Sequence, residues 1–400
     1  MNKTTKYGLL LLLLIALPFI VNATPFLGPT WVRILGYAML YVMLALGLNI
    51  VIGYAGLLDM GYIGFYALGA YLYALLSSPH LAESGLVAAA LDWPFWVIIP
   101  LCAIVAGVAG ALLGAPTLKL RGDYLAIVTL GFGEIIRIFM NNLDRPFNLT
   151  NGPQGINNIN PLHLGDHSLK NTWSLFGLEV TPVINYYLVF LAIVIFVIFL
   201  SSRLENSRIG RAWMALREDE IAAEAMGLNK RNIKLLAFGM GATFGGVSGS
   251  LFASYQGFVS PESFVLMESV MVLAMVVLGG MGSITGVVIG AVILSVMPEL
   301  FRDLVNAIQP VLVNNITFIS EDTLRNVLDA STLRMLVFGF AMVLVMRYRP
   351  EGLFPSTRRR QELHDKDDEP FDSAHYVKES SHAKISADEP DNRDTTGEGR

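Results

Sequence analysis

Charge, cysteine and histidine in apolar surroundings are what this 400-residue chain has least of. Charged residues make up 15% of it and hydrophobic residues 54%, where an average soluble domain carries about 25% charged residues. So little polar material excludes a water-soluble fold. The charge present is also unevenly placed. Twelve of the 33 acidic and eight of the 28 basic residues fall from Ser356 onward, which leaves a body of net charge −1 and a tail of −4. The formal charge of −5 thus belongs mostly to the tail and gives no reason to expect nucleic acid as a partner. One cysteine, Cys102, excludes an internal disulfide. No Gly-Lys dipeptide occurs, so the phosphate-cradling loop of the Walker type is missing and the chain cannot power itself with ATP. The six histidines, His80, His163, His167, His364, His375 and His382, all fall in expected loops or in the tail, leaving none inside a bilayer for a proton relay or a metal. His163 and His167 are spaced to share a metal only on a helix, and Pro161 and Gly165 argue for a solvated loop instead.

What the chain has in abundance is long apolar stretches. Crossing roughly 30 Å of hydrocarbon takes about 20 mostly apolar helical residues. Ten stretches qualify, near residues 7–22, 31–52, 59–77, 95–114, 123–140, 185–200, 233–257, 265–279, 284–298 and 332–347. The expected architecture is all-α and polytopic, and the eighth and ninth stretches also fit one kinked or re-entrant unit. Lys and Arg collect on the cytoplasmic side of membrane proteins. The loop from Ser201 to Ile233 carries Arg203, Arg208, Arg211, Arg217, Lys230 and Arg231, which makes it cytoplasmic. Counting outward from it places Lys3 and Lys6, Lys119 and Arg121, and Arg347, Arg349 and Arg358 to Arg360 on the same side, so both termini are expected in the cytoplasm. Lys3 and Lys6 ahead of Gly8 to Val21 also resemble a secretory signal peptide, with Val21 and Ala23 spaced for cleavage. A retained first helix is the favoured reading, because nine further spans can insert without a cleaved signal. The expected division is residues 1–30 as first helix and external loop, 31–355 as membrane domain with a cytoplasmic loop at 201–233, and 356–400 as a disordered, dispensable tail.

Glycine is concentrated inside the apolar stretches, as in Gly53-Tyr54-Ala-Gly56, Gly61 to Gly69, Gly239 to Gly249 and Gly279-Gly280-Met-Gly282. Small residues let membrane helices approach closely, so packing explains much of this. The interruptions at Gly53 to Gly56 and Gly279 to Gly286, however, take corresponding places in two halves of opposite direction. Paired breaks in inverted halves point to a substrate pathway. Gly53, Tyr54, Gly56, Asp59, Gly279, Gly280 and Gly282 are therefore candidate pathway residues, with packing as the alternative. Among ionisable residues within spans, Glu134 and Arg137 share a helix face and suit an ion pair. Asp59 and Asp123 suit helix starts. Glu268 is the least explained by such roles.

The cytoplasmic loop carries an amphipathic pattern. Ile221, Ala225 and Leu228 fall on one side and Arg217, Glu220 and Glu224 on the other, which predicts a short helix ending at Gly227. Its acidic face is unlike that of a helix lying on lipid head groups, and a groove on another protein is the better fit.

The run Arg121-Gly-Asp-Tyr-Leu-Ala-Ile-Val-Thr-Leu-Gly-Phe-Gly-Glu-Ile-Ile-Arg137, followed by Thr150-Asn-Gly-Pro-Gln-Gly-Ile156, closely resembles the LivM-type permeases of bacterial branched-chain amino-acid ABC transporters. So do Gly47-Leu-Asn-Ile-Val-Ile-Gly-Tyr-Ala-Gly-Leu-Leu-Asp59 and Leu278-Gly-Gly-Met-Gly-Ser-Ile-Thr-Gly286. The likeness covers about residues 31–355; the tail has no counterpart. It implies a type II-like ABC importer permease of about ten transmembrane helices in two inverted halves, multi-pass in the bacterial inner membrane. It also implies a second, LivH-type permease subunit, two ATPase subunits that bind ATP and magnesium, and a periplasmic binding protein delivering leucine, isoleucine or valine. No cofactor is expected on this chain and no residue of it need be catalytic. The segment from Glu218 to Gly227 resembles the EAA coupling segment that seats in an ATPase groove, which makes Arg217, Glu218, Glu220, Ile221, Glu224, Ala225, Gly227 and Leu228 candidate coupling residues. It departs from that pattern by placing Ile221 where the leading Glu belongs. A urea or short-chain amide importer permease shares much of the pattern, and an ion-coupled secondary transporter or a membrane scaffold are readings from other classes.

Overall fold

The computed structural model describes residues 3–24 and 28–315, apart from short breaks at 86, 89–92, 118–119, 121, 165–166 and 176–177, together with 339–340, 343, 347–349 and 352–354. Most of the expected tenth span at 332–347, the cations Lys119, Arg121 and Arg358 to Arg360, and the expected tail lie outside the described residues.

Helices account for most of the described chain. The long ones are α1 (Lys3–Ala23), α2 (Gly28–Asn49), α3 (Ile63–Ser77), then after the short α4 (His80–Glu83) α5 (Phe95–Thr117) and α6 (Asp123–Asn142). There follow α7 (Pro182–Glu205), two shorter helices α8 (Arg208–Glu218) and α9 (Glu220–Ala225), then α10 (Lys230–Gln256), α11 (Leu266–Gly279) and α12 (Ile284–Asn315). Among the described residues, six segments are long and apolar enough to cross a membrane: Gly28–Tyr54, Phe95–Thr117, Pro182–Glu205, Lys230–Gln256, Pro261–Gly279 and Ile284–Leu304. The all-α expectation needs one small amendment. The segment between α6 and α7 forms two short antiparallel hairpins, β1 (His163–Leu164) with β2 (His167–Ser168), and β3 (Trp173–Leu175) with β4 (Leu178–Val180). Strands of two or three residues are too short to show a period in the sequence.

Burial orders the helices from inside to outside. In the most apolar stretch of α2 and its extension, 78% of residues are buried, and in α10 61%; the corresponding share is 28% in α5 and in α12, whose outward faces are apolar. The inner helices close on one another through glycine. A Cβ at Gly69 of α3 would overlap the backbone of Gly246 in α10, one at Gly249 would overlap the carbonyl of Tyr66, and one at Gly110 of α5 would lie 2.5 Å from Ala242 Cβ. Lipid tails are as apolar as any side chain, so contact area between backbones is what holds such helices together. Much of the glycine content therefore serves packing. Substituting Gly249 by Leu is expected to cost well over the roughly 1–3 kcal/mol of ordinary overpacking, because the obstacle is backbone. Gly131, whose Cβ would meet nothing within 4 Å, should accept Ala with no loss of folded yield in detergent chromatography, where the Gly249 variant aggregates.

Candidate functional site

At one end of the bundle the apolar helices stop being continuous. The last turn of α2 passes into a π-helical turn over Ile50–Tyr54, in which Ala55 N–H reaches back to the Ile50 carbonyl over 3.2 Å. Turns of this width are rare and concentrate at functional positions. Gly56 then takes φ +68°, and the chain returns toward the bundle interior before α3 begins at Ile63. The second interruption follows α11: Gly280 and Gly282 take φ +116° and +83°, conformations that L side chains rarely adopt, and α12 starts at Ile284. The two breaks touch. Asn49, 1% exposed, accepts a 2.8 Å hydrogen bond from Gly282 N–H through its Oδ1. A Cβ on Gly53 would lie 2.6 Å from Gly282 N, so glycine is needed for that approach.

The loop between α7 and α10 reaches the same point. The single helix expected to end at Gly227 is two, because Asp219 in extended conformation ends α8 and caps α9, its Oδ1 accepting from Ile221 N–H at 2.7 Å and Ala222 N–H at 3.0 Å. Arg217 belongs to α8 and turns into the body, Glu220 is half-buried against Lys234, and of the three only Glu224 is exposed, so they do not share one solvent-facing side. Arg217 donates through Nη1 to the Gly53 carbonyl at 2.5 Å, its stem covers Gly56, and Nη1 lies 3.6 Å from where a Gly282 Cβ would stand. Arg217 thus joins the loop to both breaks. The root of the loop is also fixed: Trp213, fully buried, donates its indole N–H to the Ile233 carbonyl at 2.8 Å, and the nearly buried Lys234 ammonium pairs with Glu220. Glu224 pairs with Lys230 at 2.7 Å, so both acidic residues are engaged within the chain. Ala223 faces the body, whereas Ile221 and Met226 are 76% and 84% exposed. Ala225, Gly227 and Glu218 are exposed as well, and Leu228 is half-buried. Gly227 takes φ +85° with open space around it, as a helix-ending glycine does.

The remaining candidates are dispersed around this node. Tyr54 is 2% exposed, and no hydrogen-bond partner for its hydroxyl is found among the described residues. Asp59 is buried too, but does not sit at the start of α3. It lies four residues earlier and accepts from Gly61 N–H at 2.9 Å, while the neighbouring Met60 N–H donates to Thr129 of α6. Glu134 and Arg137 form the expected pair at 2.6 Å, which Glu262 joins at 3.2 Å, and Glu268 accepts a 2.7 Å bond from the Tyr41 hydroxyl. Backbone from beyond α12 completes the second break: Leu353 N–H and Phe354 N–H donate to the carbonyls of Leu278 and Gly279 at 2.8 and 3.1 Å. Asn49 and Lys234 carry none of the signals read in the sequence. Asn49 is a lone polar residue in an apolar run, and Lys234 is one more cation at the start of α10 beside Lys230 and Arg231. Among the described residues, no group of three metal-ligating side chains occurs.

A bundle of apolar helices, interrupted where two glycine breaks meet a projecting helix pair, defines a polytopic membrane protein with an extramembrane segment keyed to its discontinuous helices. The chain belongs to the family of permease components of the branched-chain amino acid transport system, whose model matches residues 30–346, and within it is of LivM type. It is 44% identical over 367 residues to the high-affinity branched-chain amino acid transport system permease protein LivM of Escherichia coli K12, covering 88% of this chain and 75% of that protein. It is 26% identical over 344 residues to the probable LivM of Methanocaldococcus jannaschii, covering 79% and 90%, and 25% identical over 272 residues to LivH of Escherichia coli K12, covering 65% and 81%. No solved structure matches.

Replacing Asn49 by Leu, close in volume but without the acceptor, leaves Gly282 N–H buried and unpaired. A loss of about 1–3 kcal/mol is expected. It should be visible as a lowered unfolding temperature in a thiol-reactive dye melt, since burial of Cys102 reports the folded core.

Proposed function

We propose that this chain is a membrane subunit of an ATP-driven importer of leucine, isoleucine and valine. It pairs with a second, LivH-type permease and is served by two ATPase subunits and a periplasmic binding protein. It sits in the inner membrane with about ten spans in two inverted halves and both termini in the cytoplasm. ATP and magnesium bind the ATPase partners, and this chain is a conduit with no catalytic residue of its own. The family and the relatives' substrates support the amino-acid assignment.

The observation that carries the mechanism is the Arg217 to Gly53 hydrogen bond. In this reading Ile221 and Met226, apolar and largely exposed at the tip of α9, seat in a groove on an ATPase subunit. When the ATPase pair closes, α8 and α9 are displaced, and Arg217 carries the displacement to the π-helical end of α2. The Asn49 to Gly282 contact passes it to the break between α11 and α12, so both breaks move together. Glycines at positive φ absorb the change in backbone angle. The pathway then opens to one side or the other, in a two-state exchange biased by nucleotide on a different polypeptide.

Two outcomes test this. Charging the tip with Ile221→Asp and Met226→Asp should abolish co-purification of the ATPase subunits while the permease keeps its chromatographic profile. Retention of the ATPases would remove the docking role. Arg217→Ala should leave the assembled complex intact yet lower leucine uptake per ATP hydrolysed by roughly tenfold or more, as expected when a charge-assisted bond of about 1.5–3 kcal/mol that links two moving parts is lost. An unchanged uptake-to-hydrolysis ratio would show that the node does not transmit.

A further inference from the structure

At the end of the bundle remote from Arg217, a cavity of about 210 Å³ opens between the first turns of α2 and α7, the last turn of α10, and Ile159, Pro161 and Lys170. Its wall divides by chemistry. Arg33 and Lys170 supply two cations, and no carboxylate lines the cavity among the described residues. Ile159, Pro161 and Val183 supply an aliphatic side. Tyr186, Tyr255 and Gln256 form the floor, where α10 ends at Gln256 and its carboxyl-terminal dipole contributes partial negative charge.

The polar groups at this floor are held in place. Tyr186, 5% exposed, places its hydroxyl 3.2 Å from the Ser254 carbonyl. Gln256 Oε1 accepts from the Tyr37 hydroxyl and, at 3.3 Å, from Arg33 Nη2. Arg33 also lies 6.0 Å from the Tyr37 ring centroid. Tyr255 differs. Its ring is packed edge-on against Tyr37 and Phe190, yet its buried hydroxyl finds no hydrogen-bond partner among the described residues.

We propose that this cavity receives a free zwitterionic aliphatic α-amino acid on its way into the permease. Its carboxylate lies between Arg33 and Lys170, its ammonium turns toward the carboxyl end of α10, and its side chain rests on Ile159 and Val183. Two cations with no counter-carboxylate among the described residues, an aliphatic wall and a helix carboxyl end make a set complementary to the three parts of such a molecule, and the volume suits a small solute better than a single water. The inference rests on the functional reading above and deepens it by assigning where the substrate first meets this chain.

The test uses the permease–ATPase complex purified without binding protein, in nanodiscs, with radiolabelled leucine as the probe. Leucine should bind saturably. Leucinamide, which lacks the carboxylate, should compete roughly tenfold or more weakly than leucine, and Arg33→Gln with Lys170→Gln should reduce binding by a similar factor. Arg33→Lys, which keeps the charge, should retain most of the binding, so a fold defect is distinguishable from loss of the cation. Equal competition by leucinamide, or wild-type binding by the double variant, overturns the proposal. Loss of binding-protein docking in the double variant, with direct leucine binding intact, also overturns it, because the cations then serve a protein carboxylate. If variants and wild type alike take up leucine with the binding protein present, only this site fails. If the wild-type complex takes up no leucine at all, the functional reading fails and the site falls with it.

Discussion

One guanidinium determines how the parts of this molecule relate. Arg217 stands at the end of an amphipathic helix outside the apolar body and donates to a backbone carbonyl inside it. That carbonyl, on Gly53, belongs to a π-helical turn, where a wider helix brings it to a place a regular α-helical ladder would not. A lysine there would offer a point charge on a flexible stem, whereas the guanidinium holds a fixed N–H direction toward the Gly53 carbonyl, with the same nitrogen close to Gly282. Without this contact, the projecting helices and the glycine breaks would be two unrelated irregularities.

The node is workable because its surroundings are rigid. Backbone-to-backbone packing of α10 against α3 and α5 leaves no room for a single methyl group at Gly69 or Gly249, so those helices move as one piece if they move at all. The root of the loop is similarly fixed by the Trp213 indole and by Lys234 paired with Glu220. Close to the node, Gly56, Gly280 and Gly282 hold positive φ, where backbone angles can change without a side-chain clash. Stiff bodies joined at glycine hinges transmit a displacement without dissipating it, which a uniformly soft bundle could not do.

Much of this was legible in the residues, for identifiable reasons. Nine of the ten apolar stretches fall on helices of the described chain, because a run of about 20 apolar residues has few other ways to satisfy its backbone. The glycine breaks were visible because Gly-Tyr-Ala-Gly and Gly-Gly-Met-Gly interrupt otherwise continuous runs, and the Glu134 to Arg137 pair because three residues set both on one helix face. What could not be read is anything that depends on distant segments meeting. Asn49 and Gly282 are 233 residues apart, and Arg217 and Gly53 164 apart. The division of the loop helix at Asp219 has only an ambiguous signal, since an Asp followed by Glu-Ile-Ala-Ala is a helix start as readily as it is a helix interior. Asp59 stands beside the start of an apolar run, but Gly61 ahead of Ile63 favours a turn, which keeps Asp59 outside α3.

The central claim is that the projecting helices and the paired breaks move as one body. In a Cys102→Ala background, spin labels at Met226→Cys on the projection and Thr285→Cys beside the second break report it directly by double electron–electron resonance during ATP turnover in the assembled complex. The account predicts that this distance stays constant while the distance from Thr285→Cys to Phe147→Cys changes with nucleotide. A Met226 to Thr285 distance that shifts with ATP while the Thr285 to Phe147 distance stays fixed would contradict it.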